Sequence, residues 1–161
     1  MPDIFGAEWA EKLREFLRGQ TNVVVLGMGN ELMADDIAGK LVVDMLRPGG
    51  PVHPLWTGMV PEKASGEIRR LLPGRVLIVD TVDTGRQPGD IRFFNMDEID
   101  QVPTTHTTSP ALLAIFLSDI GAEWAVLGIQ PGSLAYLGKV SRAVRKAARL
   151  IASVIESSLA G

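Results

Sequence analysis

Residues 23–39 read VVVLGMGNELMADDIAG. VVVL is an uninterrupted apolar run, the mark of a strand buried on both faces, and the glycine turn GMG follows it directly. Strand, glycine turn and helix opening, in that order, is how many α/β proteins seat a phosphate at a helix N-terminus. Here, however, Asp35 and Asp36 stand where the phosphate would lie, and Leu32 takes the place of the third glycine of the dinucleotide fingerprint. No Lys-Ser or Lys-Thr pair follows, so this is not a P-loop. One carboxylate is enough to cap the helix and complement its positive end, and that role falls to Asp35. Asp36 is left over.

The same grammar recurs further along the chain. RVLIVDT (75–81) is a second continuous apolar strand, closing on Asp80, and AEWAVLGIQP (122–131) is a third. VHPLW (52–56) is a weaker strand because Pro54 lies inside it. RQPGDIRFFN (86–95) reads as a turn followed by a short strand. Helical periodicity covers 3–18, with Asp3 as N-cap and Phe5, Trp9, Leu13, Phe16 and Leu17 on one face. The helix after the glycine turn carries Ile37, Leu41, Val42, Met45 and Leu46 on one stripe and stops at RPGG (47–50). Further helices are expected over 61–74, 111–121 and from about Ser141 to Leu159. Strands alternating with helices predict a three-layer α/β/α fold: a five-stranded, mostly parallel sheet with one antiparallel edge strand. The expectation is a single domain over 1–161, with 1–20 as an N-terminal helical extension.

Composition narrows the class. The 161 residues are 46% apolar and 22% charged, with a net charge of −3, as in ordinary globular proteins. That balance argues for neither nucleic acid nor an anionic membrane as partner. No window reaches the roughly 18 apolar residues of a membrane span, and the charged N-terminus lacks a signal-peptide core. Cysteine is absent, which rules out thiolate metal sites and a cysteine nucleophile and fits a cytoplasmic protein.

In open α/β sheets, ligands sit beyond the carboxyl ends of the strands. Asp35 and Asp36, Asp80, and His106 from the polar segment VPTTHTTSP are expected to converge there. Taken singly, each has a plainer reading: a strand-end Asp usually bonds loop amides, and a lone His is usually structural. Asp83, just before Thr84-Gly85, reads as a turn residue, and His53 is embedded in a strand. Two carboxylates and an imidazole make a divalent-metal site with open positions, able to polarise a carbonyl or activate water. A serine triad built on Ser109 and His106 is the poorer reading, since no GxSxG elbow exists.

Four blocks in order then carry a resemblance: GMGNELMADDIAG, IVDTVDTGRQPGDIR, TTHTTSPALL and VLGIQPGSLAYLGKVSRAV. From about Val23 to Ala147 the chain resembles the hydrogenase maturation endopeptidases, metal-dependent hydrolases that remove a C-terminal extension from the large subunit of nickel–iron hydrogenases. It looks closest to the branch serving membrane-bound, hydrogen-evolving hydrogenases. The resemblance implies that Asp36, Asp80 and His106 engage nickel already installed in the large-subunit precursor, with free nickel bound weakly. It leaves the catalytic residue unassigned, with the same three as candidates. Two features depart from the family pattern: the helix at 3–18, and WTGMVPEK (56–63) where a double glycine is common. The N-terminal helix is expected to cover the sheet, to form a dimer contact, or to stay mobile until substrate binds.

The alternative from another class is a phospho-receiver-like, magnesium-binding switch domain, which also gathers an acidic pair and a strand-end Asp. Such a domain needs a lysine after its last strand, where this chain reads GIQPGS. A flavin carrier fits less well, because carboxylates would oppose the flavin phosphate.

Overall fold

The computed structural model describes residues 4–103, 116, 118, 119 and 121–160. Helix α1 (Ile4–Leu17) leads into β1 (Val23–Gly27), a 3-10 turn at Ala34–Ile37 and α2 (Ala38–Met45). Strand β2 (Val52–Trp56), a 3-10 turn at Pro61–Ala64, α3 (Ser65–Leu71) and β3 (Arg75–Thr81) follow. Then come β4 (Ile91–Asn95), a 3-10 turn at Met96–Gln101, β5 (Glu123–Ile129) and α4 (Arg142–Leu159). The five strands lie in the order β2-β1-β3-β5-β4. All neighbours are parallel except β4, which runs antiparallel to β5 at one edge. This is the predicted architecture. Pro54 is tolerated because β2 is the opposite edge, where a missing N–H costs no ladder bond. Asp3, and most of the helix expected over 111–121, lie outside the described residues.

Alternate side chains of the parallel strands divide between two cores. Val23, Val25, Leu77, Val79, Ala125 and Leu127 face α1, α2 and α4. Val24, Leu26, Val76, Ile78 and Val126 face the other side, against Ile68 of α3 and Ile99 of the third 3-10 turn. Each fully buried Val, Leu or Ile side chain among them contributes about 1.5–3 kcal/mol relative to exposure. Helix α1 covers the sheet: Trp9, Leu13 and Leu17 are buried against the α4 side, and Phe16 meets Phe93 of β4 edge-on at 5.8 Å.

Helix α2 departs from expectation. Its buried residues are Ala38, Gly39, Val42 and Val43, while Met45 is 38% exposed, so the helix is turned by about one residue from the predicted stripe. Glycine explains the turn. A Cβ on Gly39 would lie 2.4 Å from the Val79 carbonyl oxygen, and one on Gly27 would lie 2.6 Å from that of Gly39. The helix approaches β1 and β3 so closely that only glycine fits the contact.

Candidate metal-facing site at the carboxyl edge of the sheet

Beyond β1 the chain turns back on itself. Met28 N–H donates to the Val79 carbonyl (3.0 Å) and Gly29 N–H to that of Gly58 (3.0 Å), tying the turn to both neighbouring strand ends. Gly29 adopts φ +142°, and a Cβ there would lie 2.0 Å from the Asp36 carbonyl oxygen. The glycines therefore bring the acidic pair close to the sheet. They do not cradle a phosphate.

Asp36 and Asp80 are each 4% exposed, and Thr81 between them is fully buried. Backbone N–H of Asn30 donates to Asp36 Oδ2 at 2.8 Å, and the Thr81 hydroxyl donates to Asp36 Oδ1. Thr81 N–H donates to Asp80 Oδ1 at 2.8 Å. One residue thus orients both carboxylates, the hydroxyl serving one and the amide the other. Acidic oxygens aimed by hydrogen bonds of this kind are what a cation-binding pair requires. Among the described residues no set of three or more His, Asp or Glu gathers around one point. His106 and Ser109 lie outside the described residues, so the structure brings together two of the three expected ligands.

Asp35 does not cap α2, contrary to expectation. Neither the 3-10 turn nor α2 has a side-chain cap. Instead its fully buried carboxylate points toward the segment after β5. Oδ2 accepts from Gly132 N–H (2.7 Å), Ser133 N–H (3.0 Å) and the Ser141 hydroxyl (3.0 Å), and Oδ1 accepts from Ser141 N–H (2.6 Å). The reason is position: within a tight 3-10 turn, adjacent side chains diverge, so Asp35 and Asp36 face different elements. Ser141, held by Asp35, caps α4 by accepting from Val144 N–H at 3.3 Å. Leu137 N–H donates to the Leu32 carbonyl (2.6 Å), and Met33 bridges Tyr136, so residues 30–36 and 132–141 form one unit. Ala34 (φ 44°) and Leu137 (φ 56°) both hold left-handed backbone there, a strain concentrated at the site.

Asp83 is the turn residue expected, its Oδ1 accepting from Gly85 N–H at 3.1 Å. Buried Gln130 donates to the same oxygen (3.1 Å) and accepts from the Thr84 N–H (2.7 Å) and hydroxyl (2.9 Å). These bonds hold the Asp83 carboxyl below its usual range, the Gln130 amide contributing most and Gly85 N–H next. Neither Thr81 nor Gln130 stands out in the sequence. The available signal is that each is a polar residue just beyond an apolar run, VLIV before Asp80-Thr81 and WAVLGI before Gln130.

Comparison with known proteins bears on this arrangement. Residues 54–158 match the family described as hydrogenase maturation protease. The chain is 33% identical over 137 residues to the hydrogenase 3 maturation protease of Escherichia coli K12, covering 83% of this chain and 88% of that one. Its fold superposes on the crystal structure of a nickel–iron hydrogenase maturation protease from Thermococcus kodakarensis KOD1 with a TM-score of 0.80 at 25% identity, over 93% and 99% of the two chains. The solution structure of an Escherichia coli endopeptidase gives a TM-score of 0.74 at 31% identity, over 84% and 90%. The receiver and flavin readings have no place beside these matches. The chain belongs to the hydrogenase maturation protease family, and it is a hydrolase.

Proposed function

We propose that this protein removes the C-terminal extension from the nickel-loaded precursor of a hydrogenase large subunit of the hydrogen-evolving type, acting in the cytoplasm. The nickel belongs to the substrate. Asp36, Asp80 and His106 contact it and restrict cleavage to precursors that have received their metal. The observation that carries this reading is the Thr81 bridge, which aims two buried carboxylates at the carboxyl edge of the sheet. A carboxylate pair with one imidazole offers three ligands and leaves coordination positions for groups on the precursor.

The chemistry asked of the chain is modest. Asp36, Asp80 and His106 are the candidates to take a proton from an attacking water, and the precursor's nickel would supply Lewis acidity to a carbonyl beside it. Incubation with nickel-loaded and nickel-free precursor tests the proposal. Cleavage of the loaded form alone is expected, and equal cleavage of both would sink it. Free nickel is expected to bind weakly, because a site that inspects another protein's metal must not strip it. Stoichiometric nickel retained through chelator treatment would show a resident metal instead.

A further inference from the structure

Lys139, Arg142, Arg145, Lys146 and Arg149 fall within one short stretch, and no acidic residue occurs between Glu123 and Glu156. All five are exposed, and Arg142, Arg145, Lys146 and Arg149 share the solvent face of α4, opposite buried Val144, Ala148 and Ile151. Seven ion pairs join the described residues, and none involves these five. Their placement also runs against local stability. Cations in the first turns of a helix oppose its dipole, and like charges three and four apart repel. In a chain of net charge −3, such a concentration is not a by-product of overall basicity.

The stripe also has a direction. It begins at Ser141, which Asp35 holds against the acidic turn, and so at the carboxyl edge of the sheet. Next to it stand Tyr136 and Leu137, each 67% exposed, with Leu32 at 50% hydrogen-bonded through its carbonyl to Leu137 N–H. An apolar knob between the candidate site and a cationic track is the anatomy of an interface centre with a charged flank.

We propose that the α4 stripe, with Tyr136 and Leu137, is a docking surface for an acidic face of the precursor, which it holds while the extension reaches Asp36 and Asp80. This rests on the proteolytic reading above and adds a second, separate contact to it. A surface of this kind acts on encounter and on KM, falls off with salt, and leaves the chemical step alone.

The test replaces four charges together, as R142Q, R145Q, K146Q and R149Q, and measures both precursor binding by biolayer interferometry and precursor cleavage. The variant is expected to be at least as stable as the parent, since it loses repulsion at the helix start. Its precursor affinity and kcat/KM are expected to fall about tenfold with kcat unchanged. Between about 0.02 M and 0.2 M salt the parent should weaken, while the variant stays nearly flat. A variant that binds precursor as the parent does, with the same salt slope, overturns the proposal. So does stripe-dependent binding to phosphatidylglycerol vesicles with precursor binding unaltered, which would make the partner a membrane. Because association is read directly, a parent protein that binds precursor but does not cut it counts against the proteolytic reading. The stripe is still judged by the variant.

Discussion

Asp35 offers the sharpest test of how the site is built. If it were a helix cap, Asp35→Asn would keep the acceptor and cost only a few tenths of a kcal/mol. The structure requires far more. Oδ2 serves three donors and Oδ1 a fourth, from a side chain that is itself fully buried. An asparagine that keeps its oxygen at the Oδ2 site turns an NH2 group toward the Ser141 N–H, donor against donor at 2.6 Å. The reverse rotamer faces the Gly132 and Ser133 amides in the same way. One or two stranded donors at about 1–3 kcal/mol each put the loss near 2–3 kcal/mol. Asp35→Ala strands all of them, but water reaches the exposed backbone at Gly132 and Ser133, so the loss should be about 3–5 kcal/mol. Against a typical total of about 5–15 kcal/mol, the alanine variant approaches unfolding. Urea titration gives the stability, and hydrogen exchange at the Gly132, Ser133 and Ser141 amides shows where it is lost. An asparagine variant within 0.5 kcal/mol of the parent, a difference of cap size, would refute this account of the clamp.

Asp36→Ala, Asp80→Ala and His106→Ala are each expected to abolish precursor processing with circular dichroism unchanged; near-normal cleavage by any two would remove the assignment. Thr81→Val keeps the amide bond to Asp80 but loses the hydroxyl to Asp36, so processing should drop at least about tenfold for about 1 kcal/mol of stability; unchanged kinetics would show that Thr81 orients nothing. Leu72 ends α3 with φ 49° and is 80% exposed, so Leu72→Gly should raise stability by about 0.5–1 kcal/mol in thermal melts, and a loss would mean its backbone is unstrained. Asp83, with its folded pKa depressed, contributes stability that is fully present above the unfolded carboxylate value of about 3.9 and lost as pH falls through the folded value. The stability gap between the parent and Asp83→Asn should therefore close on acidification below pH 4; a gap independent of pH would contradict it.

The sheet was legible because buried parallel strands announce themselves as apolar runs, and VVVL and RVLIVD are such runs. The weak strand at Pro54 and the short strand at Ile91–Asn95 were legible as strands, but which of the strands runs antiparallel at the edge was settled only by the structure, which puts both at edges. The stripe on α2 was misread because hydrophobic periodicity weighs Leu41 and Met45 above glycine, whereas the close backbone contact at Gly27 and Gly39 sets the helix's rotation. The acidic pair was half legible. Asp36 was set apart from Asp35 on the premise that Asp35 caps the helix, and the structure replaces that premise: the two carboxylates differ because they face different elements. The partners of Asp35 lie about a hundred residues along the chain, and no local pattern encodes so distant a contact. Thr81 and Gln130 stayed hidden for a related reason, since a polar residue ending a strand looks the same whether it faces water or locks a neighbour.

The bonds from Asp35 to Gly132, Ser133 and Ser141 also bear on how the protein comes into being. A ribosome makes the turn after β1 roughly a hundred residues before the residues that anchor it. Until those residues emerge, a carboxylate destined for a dry interior has nothing to solvate it but water, and the turn that aims Asp36 stays unsettled. A growing or truncated chain therefore carries its acidic pair without the bonds that fix it. The acidic turn reaches its final geometry only when residues 132–141 are in place beside it.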